Sequence, residues 1–254
     1  MARRIKGILF DLGDTLLDFG KVDVLNLFEA GARLSYDYLE QLNQPLPPFE
    51  KYHRKQLWAI RWNYFKSRII NREFNALDVI GRVSESMGHS LAHRDKVELA
   101  WLWYEPLSKC ATVEDGTSEM LQKFLSDGLS LGLVSNTFVP SEVLDRHLAK
   151  VGLLELLPVR VYSCEVSHRK PDRRIFEAAL IAAGLEATET MFVGDSPVAD
   201  IKGAAKAGMI SVLKDPLGRF ATPKIKPTHR IASLTELPGV LGRYDISVPD
   251  STAP

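Results

Sequence analysis

Cysteine is scarce in this chain, which has only Cys110 and Cys164, far apart in sequence. That excludes a disulfide framework and fits two structural thiols in a reducing compartment. No charge of one sign prevails: Lys plus Arg and Asp plus Glu both total 32, for a formal net charge of zero. Nothing global therefore steers the protein toward nucleic acid or an anionic membrane. Long hydrophobic runs are lacking too, none approaching the roughly 20 residues of a membrane helix. The start, Met1 to Lys6, is basic, but the short apolar stretch behind it meets Asp11, unlike a signal peptide. The expectation is a soluble cytoplasmic protein with a small-molecule partner and no nucleic-acid or membrane partner. Its oligomeric state stays open.

What the chain does have is enough apolar content, 45% of 254 residues, to bury a core domain plus a smaller insert. Ile5 to Phe10 is a short apolar run that stops at Asp11-Leu12-Gly13-Asp14-Thr15, the pattern of a buried strand feeding a polar turn. The design recurs three times. Leu129 to Val134 meets Ser135-Asn136-Thr137, Val159 to Tyr162 meets Ser163 and Glu165, and Met191 to Val193 meets Gly194-Asp195-Ser196. Helix-period stretches lie between them, at Thr117 to Asp127, Ser141 to Val151, Pro171 to Ala183 and Pro197 to Ala207. Strands alternating with helices predict an α/β fold, a Rossmann-like doubly wound parallel sheet. Ligands of such sheets bind outside the carboxyl ends of the strands, the edge that carries these polar clusters.

From about Lys21 to Glu105 the alternation gives way to helical periodicity alone. An inserted all-helical cap over residues 21–105 is expected, dividing a core made of 1–20 and 106–254. Pro45, Pro47 and Pro48 punctuate the insert after its first helix. Its Trp58, Trp62, Phe65, Trp101, Trp103 and Tyr104 read as packing, with a substrate pocket as the alternative. Arg61 and Arg68 read as solvated or capping groups. Lys214, Arg219, Lys224, Lys226 and Arg230 read as a solvated cationic loop, and Pro249 to Pro254 as a frayed end.

Removing a phosphoryl group through an enzyme nucleophile takes a carboxylate, a divalent metal held by oxygens, a cation and a hydrogen-bond donor. All four types stand at the predicted strand ends. Asp11 can attack, Asp195 and Asp200 can hold Mg²⁺, Lys170 can supply positive charge and Ser135 can donate to phosphate. Asp200 has two other readings, an assistant to Lys170 or an anion suited to the first turn of a helix. Asn136 is a candidate phosphate contact and Glu165 a candidate for orienting Lys170. Pro171, read as opening the next helix, would fix the direction of Lys170.

Four fragments in order, Phe10-Asp11-Leu12-Gly13-Asp14-Thr15-Leu16, Val134-Ser135-Asn136, Arg169-Lys170-Pro171-Asp172 and Gly194-Asp195-Ser196 with Asp200, resemble the motifs of the haloacid dehalogenase superfamily. The insert falls between the first and second motifs, where that family carries a helical cap. The resemblance implies an aspartyl-phosphate on Asp11, Mg²⁺ contacted by Asp11, Asp195 and the Gly13 carbonyl, and phosphoryl binding by Ser135 and Lys170. The acidic fourth motif looks like the magnesium phosphatases rather than the metal-free dehalogenases. One departure stands out. The phosphatase pattern has a second Asp two residues after the nucleophile, as acid and base, where this chain has Gly13. Asp14 is adjacent, but one step along an extended segment turns a side chain to the opposite side. The readings are a phosphatase for small phosphomonoesters, a phosphate- or metal-binding module without efficient turnover, and, disfavoured by Asp195, a dehalogenase.

Overall fold

The computed structural model describes residues 4–70, 72–220 and 224–244. Six parallel strands form one sheet in the order β3-β2-β1-β4-β5-β6. They are β1 Gly7–Phe10, β2 Ser130–Ser135, β3 Val159–Tyr162, β4 Thr190–Gly194, β5 Ile210–Lys214 and β6 His229–Ile231. The expected α/β sheet is therefore present, with the four anticipated strands in place and two more at one edge. Alternate strand residues serve opposite faces: Ile8, Phe10, Leu131, Leu133, Met191 and Val193 enter one apolar cluster, while Leu9, Val134 and Phe192 enter the other.

Four helices separate β1 from β2: α1 Val24–Gln41, α2 Phe49–Ile70, α3 Ala76–Glu85 and α4 His93–Ser108. Asp23 opens α1 and Asn75 opens α3, each accepting hydrogen bonds from first-turn amides. The three prolines fall between α1 and α2, as their missing N–H groups require. These helices share the first apolar cluster with the sheet, through Leu39, Tyr52, Ile80, Leu99 and Trp101. The insert is thus not sealed off from the core by a polar boundary.

After β2 follow α6 Ser141–Lys150, the single turn α7 Ser163–Val166, α8 Arg173–Ala183 and α9 Lys202–Ala207; α5 Thr117–Ser126 precedes it and α10 Leu237–Leu241 comes last. Helix α8 starts two residues later than Pro171 suggested. Asp172 is its cap, accepting from Arg174 N at 3.0 Å, so Pro171 lies outside it. The cationic loop is also not simply solvated. Lys214 ends β5 buried, donating to the Thr15 carbonyl at 2.8 Å and pairing with Glu114 at 3.1 Å. A cation enters that edge because a carboxylate and a carbonyl wait there. Residues 221–223 of that loop and the expected frayed end, 249–254, lie outside the described residues. No helix among the described residues is long and apolar enough to cross a membrane. Cys164 is buried and Cys110 exposed.

Candidate active site

Strand β1 is central, with β2 and β4 on its two sides. Phe10 is level with Leu133 and Val193, so Asp11, Ser135 and Asp195 leave the sheet at one edge. This is also the topological switch point between β1 and β4. The Asp11 N–H donates to the Val193 carbonyl at 2.9 Å, which fastens the residue to the strand end.

Lys170 arrives from the loop before α8 and is 3% exposed. Its Nζ lies 2.6 Å from Asp11 Oδ1 and 2.7 Å from Asp200 Oδ1. Burial opposes the ammonium charge, but the two carboxylates outweigh it and hold Lys170 above its ordinary range. Asp200, fully buried, is held in turn by the Ser196 N–H at 2.9 Å. Gly194 makes room for it: a Cβ there would sit 2.4 Å from Asp200 Cγ. Asn136 closes the arrangement from the other side. Its Oδ1 accepts from Lys170 N at 2.7 Å and its Nδ2 donates to the Lys170 carbonyl at 2.9 Å. Asn136 therefore fixes the main chain at Lys170, immediately before Pro171, from the end of β2.

Carboxylate oxygens of Asp11, Asp195 and Asp200 lie within 4.8 Å of one another. Burial first, then the Asp200 charge, pushes Asp11 up to about 7 against the pull of Lys170. Burial, Asp200 and Asp14 push Asp195 up to about 6. Lys170 and, at 3.9 Å from Asp195, Arg219 are the cations beside these three carboxylates, which together could hold a further cation. A set of hard oxygens suits Mg²⁺ or Ca²⁺.

Asp14 is exposed, with φ of 55°, so the chain turns there rather than running on extended. The alternation expected from an extended segment does not apply, and the charge of Asp14 is felt at Asp195. Glu165 does not orient Lys170. It is exposed on α7, and the Lys170 ion pairs among the described residues go to Asp11 and Asp200.

The sequence profile of haloacid dehalogenase-like hydrolases matches residues 5–208. The chain belongs to that hydrolase family. A phosphoserine phosphatase of Thermus thermophilus is 36% identical over 110 residues, 43% of this chain and 43% of that protein. The chain thus aligns with less than half the length of this relative. Among solved structures, a haloacid dehalogenase-type phosphatase of Thermococcus onnurineus superposes with a TM-score of 0.61 at 22% identity, covering 95% of this chain and all, 100%, of the other. A 2-haloacid dehalogenase of Pseudomonas syringae pv. Tomato superposes with a TM-score of 0.62 at 24% identity, covering 94% and 99%. At such identities these likenesses speak for the shared fold.

In this haloacid dehalogenase-like hydrolase three charged residues, one without a reading in the sequence and two expected only as solvated or capping cations, come to lie near the strand ends. Glu73, between α2 and α3, reaches the core: its Oε2 lies 3.7 Å from Arg169 Nη1 and 3.3 Å from Ser163 Oγ. Arg68, read as a solvated cation, lines the cleft beside Lys170. Arg219 approaches Asp195 at 3.9 Å. None of these carries a local pattern, because each is placed by a partner distant in sequence. The insert's aromatics divide. Trp101 and Tyr104 are packed at 1% and 8% exposure, whereas Trp58, Trp62 and Phe65 lie on an uncovered face of α2.

Proposed function

We propose that this hydrolase is a magnesium-dependent phosphatase that cleaves a small phosphomonoester through a phosphoryl group held on Asp11. The observation that carries it is the Lys170 ammonium, buried and fixed at 2.6 Å from Asp11 and 2.7 Å from Asp200. Such a cation offers preorganised charge to phosphate oxygens. An Asp11 oxygen bonds to phosphorus as the bond from phosphorus to the leaving oxygen breaks, and the leaving oxygen takes a proton from solvent water. Water then attacks the acyl phosphate, releasing orthophosphate and restoring the carboxylate. Ser135, at the end of β2 beside Asp11, donates to the transferring group. Asn136 and Asp200 hold Lys170 in place.

The crowded carboxylates fit a divalent cation. Asp11 and Asp195, with the main-chain carbonyl of Gly13, would hold it, and when bound it supplies charge that screens the repulsion between carboxylate and phosphate. The phosphatase name of the Thermus relative supports this reading. Residues 21–105 act as a lid on a core of 1–20 and 106–254. Supporting this, Arg68 of the insert lines the cleft and Glu73 of the insert faces Arg169 of the core at 3.7 Å, and an apolar cavity of about 130 Å³ lies where α1, α2, α3 and α4 meet Phe138 and Pro140. A void at such a seam lowers the packing lost when the helices shift.

Gly13 favours a second reading, a phosphate-binding module without efficient turnover. Incubation with p-nitrophenyl phosphate separates the two. Release of nitrophenol that needs MgCl₂, stops with chelator and drops by many orders of magnitude in Asp11→Asn is the expected result. Retention of more than about a tenth of the rate in that variant, a loss under about 1.4 kcal/mol in barrier, removes Asp11 as nucleophile. Halide release from 2-haloacids without metal would instead make this chain a dehalogenase.

A further inference from the structure

Beside Lys170 the cleft opens into a cavity of about 390 Å³ bordered by Arg68, Asn136, Arg169, Lys170, Ser196 and Val198. Three cations and, among the described residues, no carboxylate line it. Their charges are spent unequally. Lys170 is matched by Asp11 and Asp200. Arg169, whose side chain is 13% exposed, faces Glu73 at 3.7 Å, too far for a hydrogen bond, and its buried Nη1 makes none. Arg68, on the last turn of α2, is exposed, and its side chain has no ion pair among the described residues.

We infer that this cavity is a second anion subsite, in which Arg68 and Arg169 select phosphomonoesters that carry a further carboxylate or phosphate. The inference rests on the phosphatase reading for where the first phosphoryl group sits. Lys170, which meets the Asp11 carboxylate, and its chain neighbour Arg169 both border the cavity, so the subsite is assigned the atoms of a substrate that extend past Lys170 from Asp11. Small-molecule sites hold roughly 300 to 1,000 Å³, and this one falls at the small end, suited to a compact metabolite. A guanidinium meets a carboxylate or phosphate with two parallel hydrogen bonds. A neutral substituent there would desolvate Arg169 donors without giving them partners. The cap and the core each contribute one arginine. The second anion therefore also draws α2 toward the loop before α8, which couples recognition to closure of the insert.

The test is calorimetric binding to the Asp11→Asn protein in MgCl₂, where no turnover is required. Two ligand pairs are compared, 3-phosphoglycerate with glycerol 3-phosphate, and fructose 1,6-bisphosphate with fructose 6-phosphate. In at least one pair the doubly anionic member binds more tightly by about tenfold or more, the scale of a charge-assisted contact. The pair with the greater ratio tells whether carboxylate or phosphate is the natural second anion. Adding Arg68→Gln shrinks that ratio several-fold, and Arg169→Lys, which keeps the charge but removes the fork, shrinks it as well. Equal affinities within both pairs, or a ratio untouched by Arg68→Gln, overturn the subsite. Turnover by the wild-type protein is read separately. Selective binding without turnover of any phosphate removes the phosphatase reading alone, and turnover without selectivity removes the subsite alone.

Discussion

Gly13 stands where a carboxylate is missing, and the space for one is present. A Cβ there would touch only Phe19 Cε2, at 3.8 Å, and Gly13 is not among the glycines with positive φ. Asp14 is a poor substitute by position, because it is exposed and its charge bears on Asp195. On the phosphatase reading, a departing alkoxide would lack a side-chain proton donor at this position, whereas an aryl oxide would leave as a stable anion. Gly13→Asp is expected to fold and to accelerate alcohol phosphates by up to about 10², the low end of general acid catalysis, and aryl phosphates much less. Steady-state kinetics on the two substrate types measures the ratio. Equal changes, or sugar-phosphate activity that collapses in Asp14→Asn, would place the acid at Asp14.

Helix α4 of the insert meets α6 of the core through polar as well as apolar contacts. The Tyr104 hydroxyl and His147 Nδ1 are 2.9 Å apart, and both residues are buried. Burial, with the nearby Lys150, holds His147 below its ordinary range, so the ring is neutral and its bond to Tyr104 is a neutral one. Arg146 of α6 adds an ion pair to Glu98 at 2.7 Å and, with Lys150, stacks a cation on Trp101. Tyr104→Phe keeps the ring packing but strands a buried imidazole nitrogen, at a cost of about 1–3 kcal/mol. Urea unfolding at pH 7.5 reads this directly, and a loss below about 0.5 kcal/mol would mean that water replaces the hydroxyl.

Taken whole, the molecule gathers three carboxylates around one ammonium at the centre of its sheet edge. Folding pushes Asp11 up to about 7 and Asp195 up to about 6. A raised carboxyl binds more protons folded than unfolded, so its charging weakens the fold as pH rises from about 4 through those values. A divalent cation held by these carboxylates would bind their charged forms and reverse that loss. MgCl₂ at a hundred times its Kd should add about 2.7 kcal/mol of stability, and more at pH 8 than at pH 5, where protons must first be displaced. Melting temperature in MgCl₂ against chelator, at both pH values, tests this. An equal shift at both, or none, would show that the carboxylates do not hold the ion.

The alternation of short apolar runs with helical stretches was enough to predict the parallel sheet and its order of motifs. That pattern is local, and each run announces its own period. Strand ends rich in Asp, Ser and Gly likewise point to Asp11, Ser135 and Asp195, which the sheet register brings to one edge. Strands β5 and β6 escaped, β6 being three residues inside a proline-rich cationic stretch. Asn136 holds Lys170 in the way expected of Glu165, since both are polar residues at strand ends and only the spatial approach of β2 to the loop before α8 decides between them. Burial of Lys214 against Glu114, the bridge from Glu73 to Arg169 and the exposure of Arg68 over the cleft are of the same kind. A charge is buried, paired or left open by partners tens of residues away, and that choice belongs to the tertiary structure.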